Sequence, residues 1–515
     1  MSNQQAPFVQ KMPSDFSLVD AFLRLCERPG CLWLDSSSPT RQLDEGSPPV
    51  GRYSFLTSDP IETIVANPED PNPWPQLHQL YAALPSNYDP QLPPFQGGIA
   101  GLWGYEAINW LESIESPQSD AISVPALSVG LYDWTLATDH LLESSWLICQ
   151  GRFHENWAER CKLAKQRAKE ILDAVTKHPP NLEKANKRPS VSAPNHSVRT
   201  SAGIGTETTR PETTGEEAWL EKQYVTQNPK VKSNFAPEQF PNSVKQIVDA
   251  ICEGDTFQVN LAQRLLAIAA DSSPNLYLRL REVNPAPFSA YYQQSDYQIA
   301  SSSPEGFLQV RGREVETRPI KGTVPRTGEQ TVDRELAEQL IASEKDRAEN
   351  IMIVDLLRND LSKSCEDDSV VVTKLCGLEI YEHIQHLVSV VKGTLREDQT
   401  ASQLLESCFP GGSVTGAPKI EAMKTIAKIE PNRRGAYCGS IGYLGLGSQA
   451  DFNILIRTVT ATQGYWQFPV GGGITAKSQP SLEEAETWAK AEGMLRAIAP
   501  NHDQSSSQNP KIPKF

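Results

Sequence analysis

The alternation of apolar and polar positions predicts a β-hairpin in the middle of the chain. Residues 307–310 and 314–317 are short alternating runs, and the tripeptide RGR separates them. Alternation is typical of half-buried strands, and a glycine between two such runs is typical of a tight turn. Glu305 precedes the first run and Lys321 follows the second. Because a hairpin folds its two ends together, the sequence predicts that this carboxylate and this amine face the same space.

Apolar positions at helical spacing predict helices in two further segments. Residues 345–361 place three aliphatic side chains on one stripe, namely Ile351, Val354 and Leu357. Residues 155–175 are charged on one face and carry, on the other, Cys161, Ala164, Ala168 and Ile171.

Cap and turn signals mark the ends of two more helices. One is predicted to end at Glu253-Gly254 and to lead into a strand that carries Gln258. The other opens at Ser481, where Glu484 lies three residues later and completes a capping-box pattern.

Composition divides the chain into four parts. Residues 15–175 mix short strand-like runs with the 155–175 helix and are predicted to form an N-terminal lobe with its own core. Residues 176–232 are rich in Pro, Ser, Thr and charge. Such a segment cannot bury enough apolar surface to offset the entropy lost on ordering, so a disordered linker is predicted. Residues 233–500 form the second lobe, and residues 501–515 are predicted to be a disordered tail.

Length, charge and cysteine content narrow the class of protein. A chain of 515 residues suits two lobes or one large layered core. Its net charge of −15 argues against a nucleic-acid partner, since neutralising phosphates requires a basic face. Nine cysteines without a CxxC pair favour reduced thiols over disulfides or a zinc site. Neither a signal-peptide pattern nor an apolar run of about 20 residues is present, so no membrane association and a cytoplasmic location are expected.

Taken alone, Glu305 and Lys321 allow two interpretations. An acid and a nucleophile that share one substrate need this arrangement. A solvated ion pair across neighbouring strands uses the same residue types. The hairpin pattern does not separate these interpretations.

A family resemblance bears on the choice. The segment RPIKGTVPR (318–326) resembles the active-site strand of the chorismate-utilising enzymes, which include anthranilate synthase component I, isochorismate synthase, salicylate synthase and aminodeoxychorismate synthase component I. In family order, the similarity extends over about 233–500 through SSPEGFL, KDRAENIMIVDLLRNDL, HIQHLVSVVKGTL, FPGGSVTGAPKIEAM, RRGAYCGSIGYL, IRTVTA and GGGITAKS. It implies an α+β, two-lobed fold of the anthranilate synthase component I type, in which large antiparallel β-sheets are layered against each other with helices outside. Residues 233–500 would be the chorismate-binding catalytic domain.

The resemblance also implies a set of site residues. Glu349 and Glu486 match glutamates that bind Mg²⁺, a cation that prefers a few carboxylates plus water and substrate oxygens. Catalytic roles fall to Lys321, Glu305 and His386. The positions implied to bind chorismate are Gln258, Thr323, Thr415, Tyr443, Arg457, Gly471, Gly472, Gly473 and Lys490. Among these, the guanidinium of Arg457 would hold one carboxylate of chorismate. The three glycines would let the backbone approach the ligand closely.

The N-terminal segments CLWLDSSS (31–38), GRYSFLTSDP (51–60) and FQGGIAGLWGYE (95–106) resemble the same family. Several members hold tryptophan between this lobe and a segment similar to NPAPFSAYY (284–292). The positions implied here are Asp35, Ser36, Tyr53, Ser54, Pro285 and Phe288. Serines near aromatic residues are also ordinary at the edge of a core, so a structural role stays open.

Two residues bear on the reaction. Relatives that deliver water to chorismate carry a lysine where Gln258 stands, whereas amine-transferring members carry glutamine. Anthranilate synthases carry alanine where Lys321 stands, whereas this lysine resembles aminodeoxychorismate synthase component I. The resemblance therefore implies amination of chorismate to 4-amino-4-deoxychorismate, an intermediate of 4-aminobenzoate and folate biosynthesis. Anthranilate synthase component I, isochorismate synthase and a catalytically inactive chorismate- or tryptophan-binding regulator are the alternatives.

The implied mechanism gives the lysine a covalent role. A neutral Lys321 would add to the ring carbon next to the carboxylate-bearing carbon while Glu305 protonates the departing hydroxyl, and ammonia would then displace the lysine. No cysteine lies in a segment that resembles a glutamine amidotransferase nucleophile turn. Ammonia is therefore expected from solution or from a separate glutamine amidotransferase subunit.

Overall fold

Runs of successive strands are interrupted by helices through the described part of the chain. The computed structural model describes residues 6–37, 50–115, 117, 122–176, 220–380 and 384–499. The helices are α1 (Leu18–Leu25), α2 (Trp74–Ala82), α3 (Trp157–Thr176), α4 (Gln239–Glu253), α5 (Ser273–Val283), α6 (Gln330–Ala342), α7 (Glu344–Ser362), α8 (Ala401–Cys408), α9 (Lys419–Ile429) and α10 (Pro480–Ile498). Short 3₁₀ helices span Tyr105–Trp110, Gly151–Phe153, Gly412–Val414 and Leu446–Ser448.

The described strands are β1 (Phe8–Lys11), β2 (Leu32–Asp35), β3 (Tyr53–Thr57), β4 (Glu62–Ala66), β5 (Gly98–Trp103), β6 (Leu127–Tyr132), β7 (Trp134–Asp139), β8 (Ser144–Cys149), β9 (Tyr224–Val225), β10 (Lys232–Ser233), β11 (Gln258–Ile268), β12 (Phe288–Gln293), β13 (Tyr297–Ser303), β14 (Gly306–Arg311), β15 (Glu314–Thr317), β16 (Ile320–Pro325), β17 (Val371–Ile380), β18 (Ile384–Thr394), β19 (Gly416–Ala417), β20 (Ser440–Gly445), β21 (Gln449–Asn453), β22 (Thr458–Thr462) and β23 (Tyr465–Ile474).

The strands form two antiparallel sheets. The first has the order β1-β8-β7-β3-β2-β12-β13-β22-β23-β11-β10-β9, with β19 also paired to β11. The second has the order β16-β18-β15-β14-β21-β20-β5-β6-β4, with β17 also paired to β18. The two sheets pack face to face through a buried cluster that includes Leu32 and Ala290 of the first and Ala100 and Ile441 of the second.

Helices cover the outer faces of both sheets. Residues of α1, α3, α5 and α10 cluster with Trp33, Tyr291 and Phe468 of the first sheet. Residues of α2, α7 and α8 cluster with Phe307 and Phe452 of the second sheet. The predicted α+β fold with layered antiparallel sheets and external helices is therefore confirmed.

The N-terminal residues share both sheets with the rest of the chain. Strand β2 pairs with β12, and β5 pairs with β20. Phe22 packs against Tyr277 and Tyr291, with ring centroids 5.9 and 5.0 Å apart. The expected separate core of the N-terminal lobe is therefore not what the structure shows.

Three local predictions from periodicity and turn signals are confirmed. Strands β14 and β15 form the hairpin, and its turn residue Gly312 has a φ of 65°. Helix α3 buries Ala164, Ala168 and Ile171. Helix α4 ends at Gly254, which has a φ of 95° and therefore suits the left-handed cap that favours glycine.

Three local predictions are corrected. Ile351 is 46% exposed, because the buried stripe of α7 follows Ile353, Val354 and Leu357 instead. Helix α10 has no side-chain cap at Gln479, so the capping box expected at Ser481 is absent.

The third correction concerns the predicted linker at 176–232. Its residues 220–232 include β9 and the start of β10. Strand β10 pairs with both β9 and β11, so the linker was predicted to end too late. Residues 177–219 and the predicted tail at 501–515 lie outside the described residues. Within the described residues, no helix is long and apolar enough to cross a membrane.

Candidate active site

Glu305 lies directly after β13, where hydrogen bonds fix its main chain. Ser303 Oγ donates to the carbonyl of Ile454 at 2.5 Å and accepts from the Glu305 N–H at 3.2 Å. The Glu305 carbonyl accepts from the Ile454 N–H at 3.0 Å. Burial raises the pKa of the Glu305 carboxyl, and Ser413 and Lys321 oppose that shift only in part. A carboxyl group held in this way can retain a proton and act as an acid.

Strand β16 brings Lys321 into the same space. Strands β15 and β16 pair with successive stretches of β18, along the edge opposite β17. The register shifts after Lys321, where Gly322 adopts a φ of 71°. A Cβ on Gly322 would lie 2.7 Å from Leu340 Cδ1, so this bulge needs glycine. The bulge directs the Lys321 amine toward the Ser413 carbonyl, to which it donates at 3.3 Å.

Carboxylates surround the Lys321 amine. Burial lowers the pKa of Lys321, and Glu349, Glu305 and Glu486 oppose that shift without cancelling it. A lowered pKa increases the neutral fraction of an amine, which is the nucleophilic form. Glu305 is only 5% exposed, so the structure excludes the solvated ion pair as an account of these two residues.

Helices α7 and α10 place Glu349 and Glu486 beside this amine. Glu349 Oε1 is buried and has no hydrogen-bond partner in the described part of the chain, and burial raises the pKa of its carboxyl. Burial would raise the pKa of Glu486 as well, but the charges of Lys490, Lys345 and Lys321 together lower it. Lys490 Nζ lies 2.7 Å from Glu486 Oε1 and donates to the Gly471 carbonyl at 2.9 Å.

The carboxylates of Glu349 and Glu486 fit a magnesium site in which water and substrate supply most of the ligands. Among the described residues, no group of three or more His, Cys, Asp or Glu is disposed to hold a metal ion. Mg²⁺ is usually held by one or two protein carboxylates, with waters and substrate oxygens completing its octahedron. An unpaired, buried Glu349 oxygen that is electrostatically coupled to Glu486 matches that donor set.

Strand β18 places His386 beside Thr323. Thr323 Oγ1 and His386 Nδ1 are 2.8 Å apart, and the imidazole is 4% exposed. Burial lowers the pKa of His386 to about 4, although a hydrogen bond with the backbone of Gly322 opposes the shift. The ring is therefore neutral near pH 7 and acts through hydrogen bonding rather than charge.

Strands β11 and β23 line another side of the space. Gly471, Gly472 and Gly473 lie in an extended strand paired with β11 rather than in a turn. A Cβ on Gly473 would lie 1.9 Å from Gln258 Nε2, and one on Gly472 would lie 3.4 Å from Lys490 Nζ. The glycines thus leave room for these two side chains. Gln258 is 1% exposed, and its Oε1 has no hydrogen-bond partner among the described residues.

Arg457 lies between β21 and β22 with a φ of 52°. Its carbonyl accepts from the Ser302 N–H at 3.1 Å, while its guanidinium makes no hydrogen bond or ion pair with the described residues. Burial lowers its pKa, and Tyr437 and Glu486 oppose that shift. A half-buried guanidinium without a partner among the described residues is suited to an anionic ligand.

Tyr443, which the resemblance implied to bind chorismate, lies away from Arg457. Strand β20 turns the Tyr443 ring toward the N-terminal residues, where its centroid lies 4.8 Å from Phe95 and 5.7 Å from Phe55. The tyrosine whose charge affects Arg457 is Tyr437.

Residues 411–415, here called the site turn, close the space next to Lys321. Thr415 is fully buried, and its Oγ1 donates to the carbonyls of Gly411 and Gly412, each at 3.3 Å, so it shapes the turn. The Arg434 guanidinium donates to the Val414 carbonyl at 2.9 Å. Sequence reasoning did not single out Ser413 or Arg434, although both lie in segments that carry the family resemblance.

A second cavity, of about 380 Å³, is lined by residues of β2 and β3, by the start of β12 and by strands of the second sheet. Of the predicted tryptophan-site positions, four line it: Asp35, Ser36, Tyr53 and Phe288. Tyr443 lines it too, and Pro287 does so where Pro285 was predicted.

Ser54 is fully buried behind Asp35 and donates to its Oδ1 at 3.1 Å. Asp35 Oδ2 also accepts from the Tyr277 hydroxyl at 3.0 Å and from Arg281 Nε at 2.7 Å. The carboxylate at this cavity is therefore already engaged by the protein.

The chain is similar to known proteins over most of its length. The family described as chorismate binding enzyme matches residues 30–496. The chain is 35% identical to aminodeoxychorismate synthase component 1 of Salmonella typhimurium over 465 residues, covering 87% of this chain and 90% of that protein. It is 36% identical to anthranilate synthase component 1 of Synechocystis over 482 residues, covering 88% of this chain and 89% of that protein.

Solved structures show the same fold. Anthranilate synthase component I of Streptococcus pneumoniae superposes with a TM-score of 0.68 at 30% identity, covering 88% of this chain and 94% of that one. The menaquinone-specific isochorismate synthase of Escherichia coli superposes with a TM-score of 0.66 over 96% of each chain. At 17% identity, the second likeness concerns the fold alone.

Proposed function

The chain belongs to the chorismate-binding enzymes, and from that premise we propose that it is the chorismate-aminating component of an aminodeoxychorismate synthase, which forms 4-amino-4-deoxychorismate. The observation that carries the proposal is the Lys321 amine. It lies 3.3 Å from the Ser413 carbonyl, burial lowers its pKa, and the buried acid Glu305 is next to it. Direct amination needs only one displacement and gives a lysine here no covalent role.

In the first step, Lys321 Nζ forms a bond to the ring carbon next to the carboxylate-bearing carbon. The ring double bonds shift, the carbon–hydroxyl bond breaks, and the proton of Glu305 leaves with the hydroxyl as water. The added amine loses a proton to the site. Hydroxide is a poor leaving group, so the raised pKa of Glu305 serves this step.

In the second step, ammonia attacks the carbon that lost hydroxyl. The double bonds shift back, the bond between the ring and Lys321 breaks, and the lysine nitrogen recovers a proton. Two displacements leave nitrogen where hydroxyl was, with retained configuration. The enolpyruvyl group stays on the product, so a separate lyase must complete 4-aminobenzoate for folate biosynthesis.

Other residues hold the substrate in this scheme. Arg457 takes one carboxylate of chorismate, since its guanidinium has no protein partner among the described residues. Glu349 and Glu486 hold Mg²⁺, which would neutralise the other carboxylate when bound. His386 stays neutral and hydrogen-bonds through Thr323.

Ammonia is proposed to come from a separate glutamine amidotransferase subunit in the cytoplasm. The support is sequence-based: no segment of the chain resembles an amidotransferase nucleophile turn. High ammonium at alkaline pH should replace that subunit, because ammonia itself is the second nucleophile.

Anthranilate synthase component I is the second candidate, since a relative of that name is as similar as those named aminodeoxychorismate synthase. Product analysis after incubation with chorismate, Mg²⁺ and ammonium salt decides between them. We expect a non-fluorescent product with the mass of chorismate plus ammonia less water and with the enolpyruvyl group retained. Fluorescent anthranilate as the main product would overturn the proposal.

The second cavity is proposed to hold tryptophan, because its lining combines aromatic rings with charged groups. Tryptophan's ammonium would share Asp35 with Arg281 and Tyr277. Titration calorimetry with tryptophan tests this site, and Ser36→Arg, which fills the cavity, should abolish any heat of binding.

A further inference from the structure

The site turn contacts both the acid and the amine of the candidate active site. The Ser413 carbonyl accepts a hydrogen bond from Lys321 Nζ at 3.3 Å, and the Ser413 side chain hydrogen-bonds the Glu305 carboxyl. A displacement of Ser413 would therefore move the acceptor of the amine and the partner of the acid together. What holds the site turn in place also sets the spacing of these two groups.

Two carbonyls of the site turn are bound from outside it. The Val414 carbonyl accepts from Arg434 Nη1 at 2.9 Å, and the Thr415 carbonyl accepts from the Asn260 N–H at 2.8 Å. The Asn260 carbonyl in turn accepts from Arg434 Nη2 at 2.7 Å. Arg434 thus holds the site turn directly, and it also holds the β11 residue that binds the next carbonyl of the turn.

Arg434 is itself fixed by a carboxylate. Glu430, which follows α9, accepts from Arg434 Nε at 2.9 Å and from its Nη2 at 2.7 Å. Glu430 Oε1 also accepts from the Ala262 N–H of β11 at 2.9 Å. Arg434 and Glu430 are 4% and 6% exposed. A bidentate pair of this kind is geometrically specific, and its burial removes competition from water.

The contacts of this side chain require a guanidinium. Its five N–H donors lie in one rigid plane, so it binds Glu430 along one edge while it donates to Val414 and Asn260. Its Cζ also lies 4.8 Å from the Tyr105 ring centroid and 5.8 Å from that of Tyr437. A lysine offers three donors at a single point and cannot reach all four oxygens.

Stability alone is a weak account of this pair, because desolvating two charges costs about as much as their attraction returns. Arg160 on α3 is the structural counterpart. It is 7% exposed and donates to the Gln150 carbonyl at 2.8 Å and to Asn87 Oδ1 at 3.0 Å. Those partners lie near β8, at the other end of the first sheet from β11. Arg434 differs because its carbonyl partners belong to the segments that line the site.

We propose that Arg434 is a positioning residue of the amination reaction: by holding the Val414 carbonyl, its guanidinium fixes Ser413 and thereby aligns Lys321 with Glu305. The inference rests on the proposed function, which assigns the chemical step to those two residues. Arg434 contacts neither the substrate nor the reacting atoms in this scheme. Its loss should therefore slow the chemical step more than it weakens the binding of chorismate.

The test makes the same substitution at two buried arginines. Arg434→Lys keeps the charge but leaves at least one of its carbonyl partners unbound, and Arg160→Lys is the matched control. Glu430→Gln loosens the guanidinium without replacing it, and it decides the question if Arg434→Lys does not fold. For each full-length variant, the measurements are kcat and KM for chorismate with ammonium salt, the rate of adduct formation on Lys321 without ammonia, and the unfolding temperature.

We expect Arg434→Lys to lower kcat roughly 100-fold, because a misplacement of about 1 Å in a reacting group can cost that much. KM for chorismate should change by no more than about twofold, the pattern of an interaction that matters in the transition state. The adduct should form more slowly by the same factor as kcat. Glu430→Gln should lower kcat roughly tenfold, since the guanidinium is loosened but present. Arg160→Lys should lower the unfolding temperature and leave kcat within about twofold of wild type.

Four results would overturn the positioning role. They are a normal kcat in Arg434→Lys, or in Glu430→Gln if the former does not fold; a loss confined to KM; a loss of kcat in Arg160→Lys as large as that in Arg434→Lys; and failure of both Arg434→Lys and Glu430→Gln to fold. The last two would assign the arginine to stability. A wild-type chain that aminates nothing even with ammonium would instead contradict the proposed function, and the two failures are distinct.

Discussion

Lys321 is the residue at which a covalent role and an electrostatic role give different results. Lys321→Arg keeps the positive charge but supplies no neutral amine at accessible pH. We expect it to lose most amination activity. Lys321→Ala is expected to retain slow direct amination by ammonia, since Glu305 and the other site groups remain. Steady-state rates with ammonium salt measure both.

The adduct itself is the second readout for Lys321. Wild-type protein incubated with chorismate but without ammonia should gain the mass of chorismate less water on the peptide that contains this residue. Glu305→Gln should suppress the gain, because the hydroxyl then departs unprotonated. No adduct in wild type, together with a normal rate in Lys321→Arg, would remove the two-displacement mechanism.

His386 allows a prediction about stability against pH. Its pKa is about 4 in the folded protein and about 6.5 when unfolded, so the unfolded state binds more protons between those values. Stability is therefore lost as pH falls from about 6.5 to about 4, by up to about 3 kcal/mol from this residue. Denaturant unfolding at several pH values should show a shallower acid loss for His386→Gln. Identical slopes in the two proteins would mean that the imidazole is not buried neutral.

At the scale of single elements, the sequence predicted what depends on local pattern. The β14–β15 hairpin, the α3 helix and the glycine end of α4 follow from periodicity and turn chemistry, and the structure has all three. One of the three residues predicted for the stripe of α7 was wrong, because Ile351 faces outward while Ile353 packs inward. Neighbouring aliphatic residues do not reveal which of them meets the core.

Helices α7 and α10 carry the prediction about the metal. Glu349→Ala and Glu486→Ala should each lower activity by roughly 100-fold or more, since each removes a carboxylate that would hold Mg²⁺. Glu484→Ala, on the same helix as Glu486, is the matched control and should stay active. Rates with added Mg²⁺ or with chelator test this, and circular dichroism checks the fold. Full activity of either glutamate variant in chelator would show that these residues hold no metal.

At the scale of the whole molecule, contacts between residues far apart in the sequence set the features that the residue pattern did not predict. Tyr443 was assigned to the wrong cavity, because the pairing of β20 with β5 turns it toward Phe95. Ser413 was not singled out, because its role rests on a main-chain carbonyl that happens to face Lys321. Backbone groups carry no signal in the residue pattern. The family resemblance identified most of the site residues, whereas the positions of Tyr443 and Ser413 became known only from the tertiary contacts.

The shared sheets make the N-terminal residues part of the catalytic fold, and the last prediction follows from that. Without residues 6–176, β12 loses its partner β2 and β20 loses its partner β5. Two bare sheet edges and the apolar faces beside them would then be exposed, which favours aggregation. Residues 220–515 expressed alone should therefore be insoluble or inactive. The complementary test cuts the full chain at a protease site inserted between residues 177 and 219.

Cleavage at that inserted site leaves every pairing between the two pieces in place. The cut protein should stay in one complex on gel filtration, with an unfolding temperature within a few degrees of the intact chain and with unchanged ammonium-dependent turnover. The reason is that the pairings of β2 with β12 and of β5 with β20, and the aromatic cluster around Phe22, all join residues before the cut to residues after it. Separation of the pieces without denaturant, or an active 220–515 fragment, would show that the two segments are independent domains.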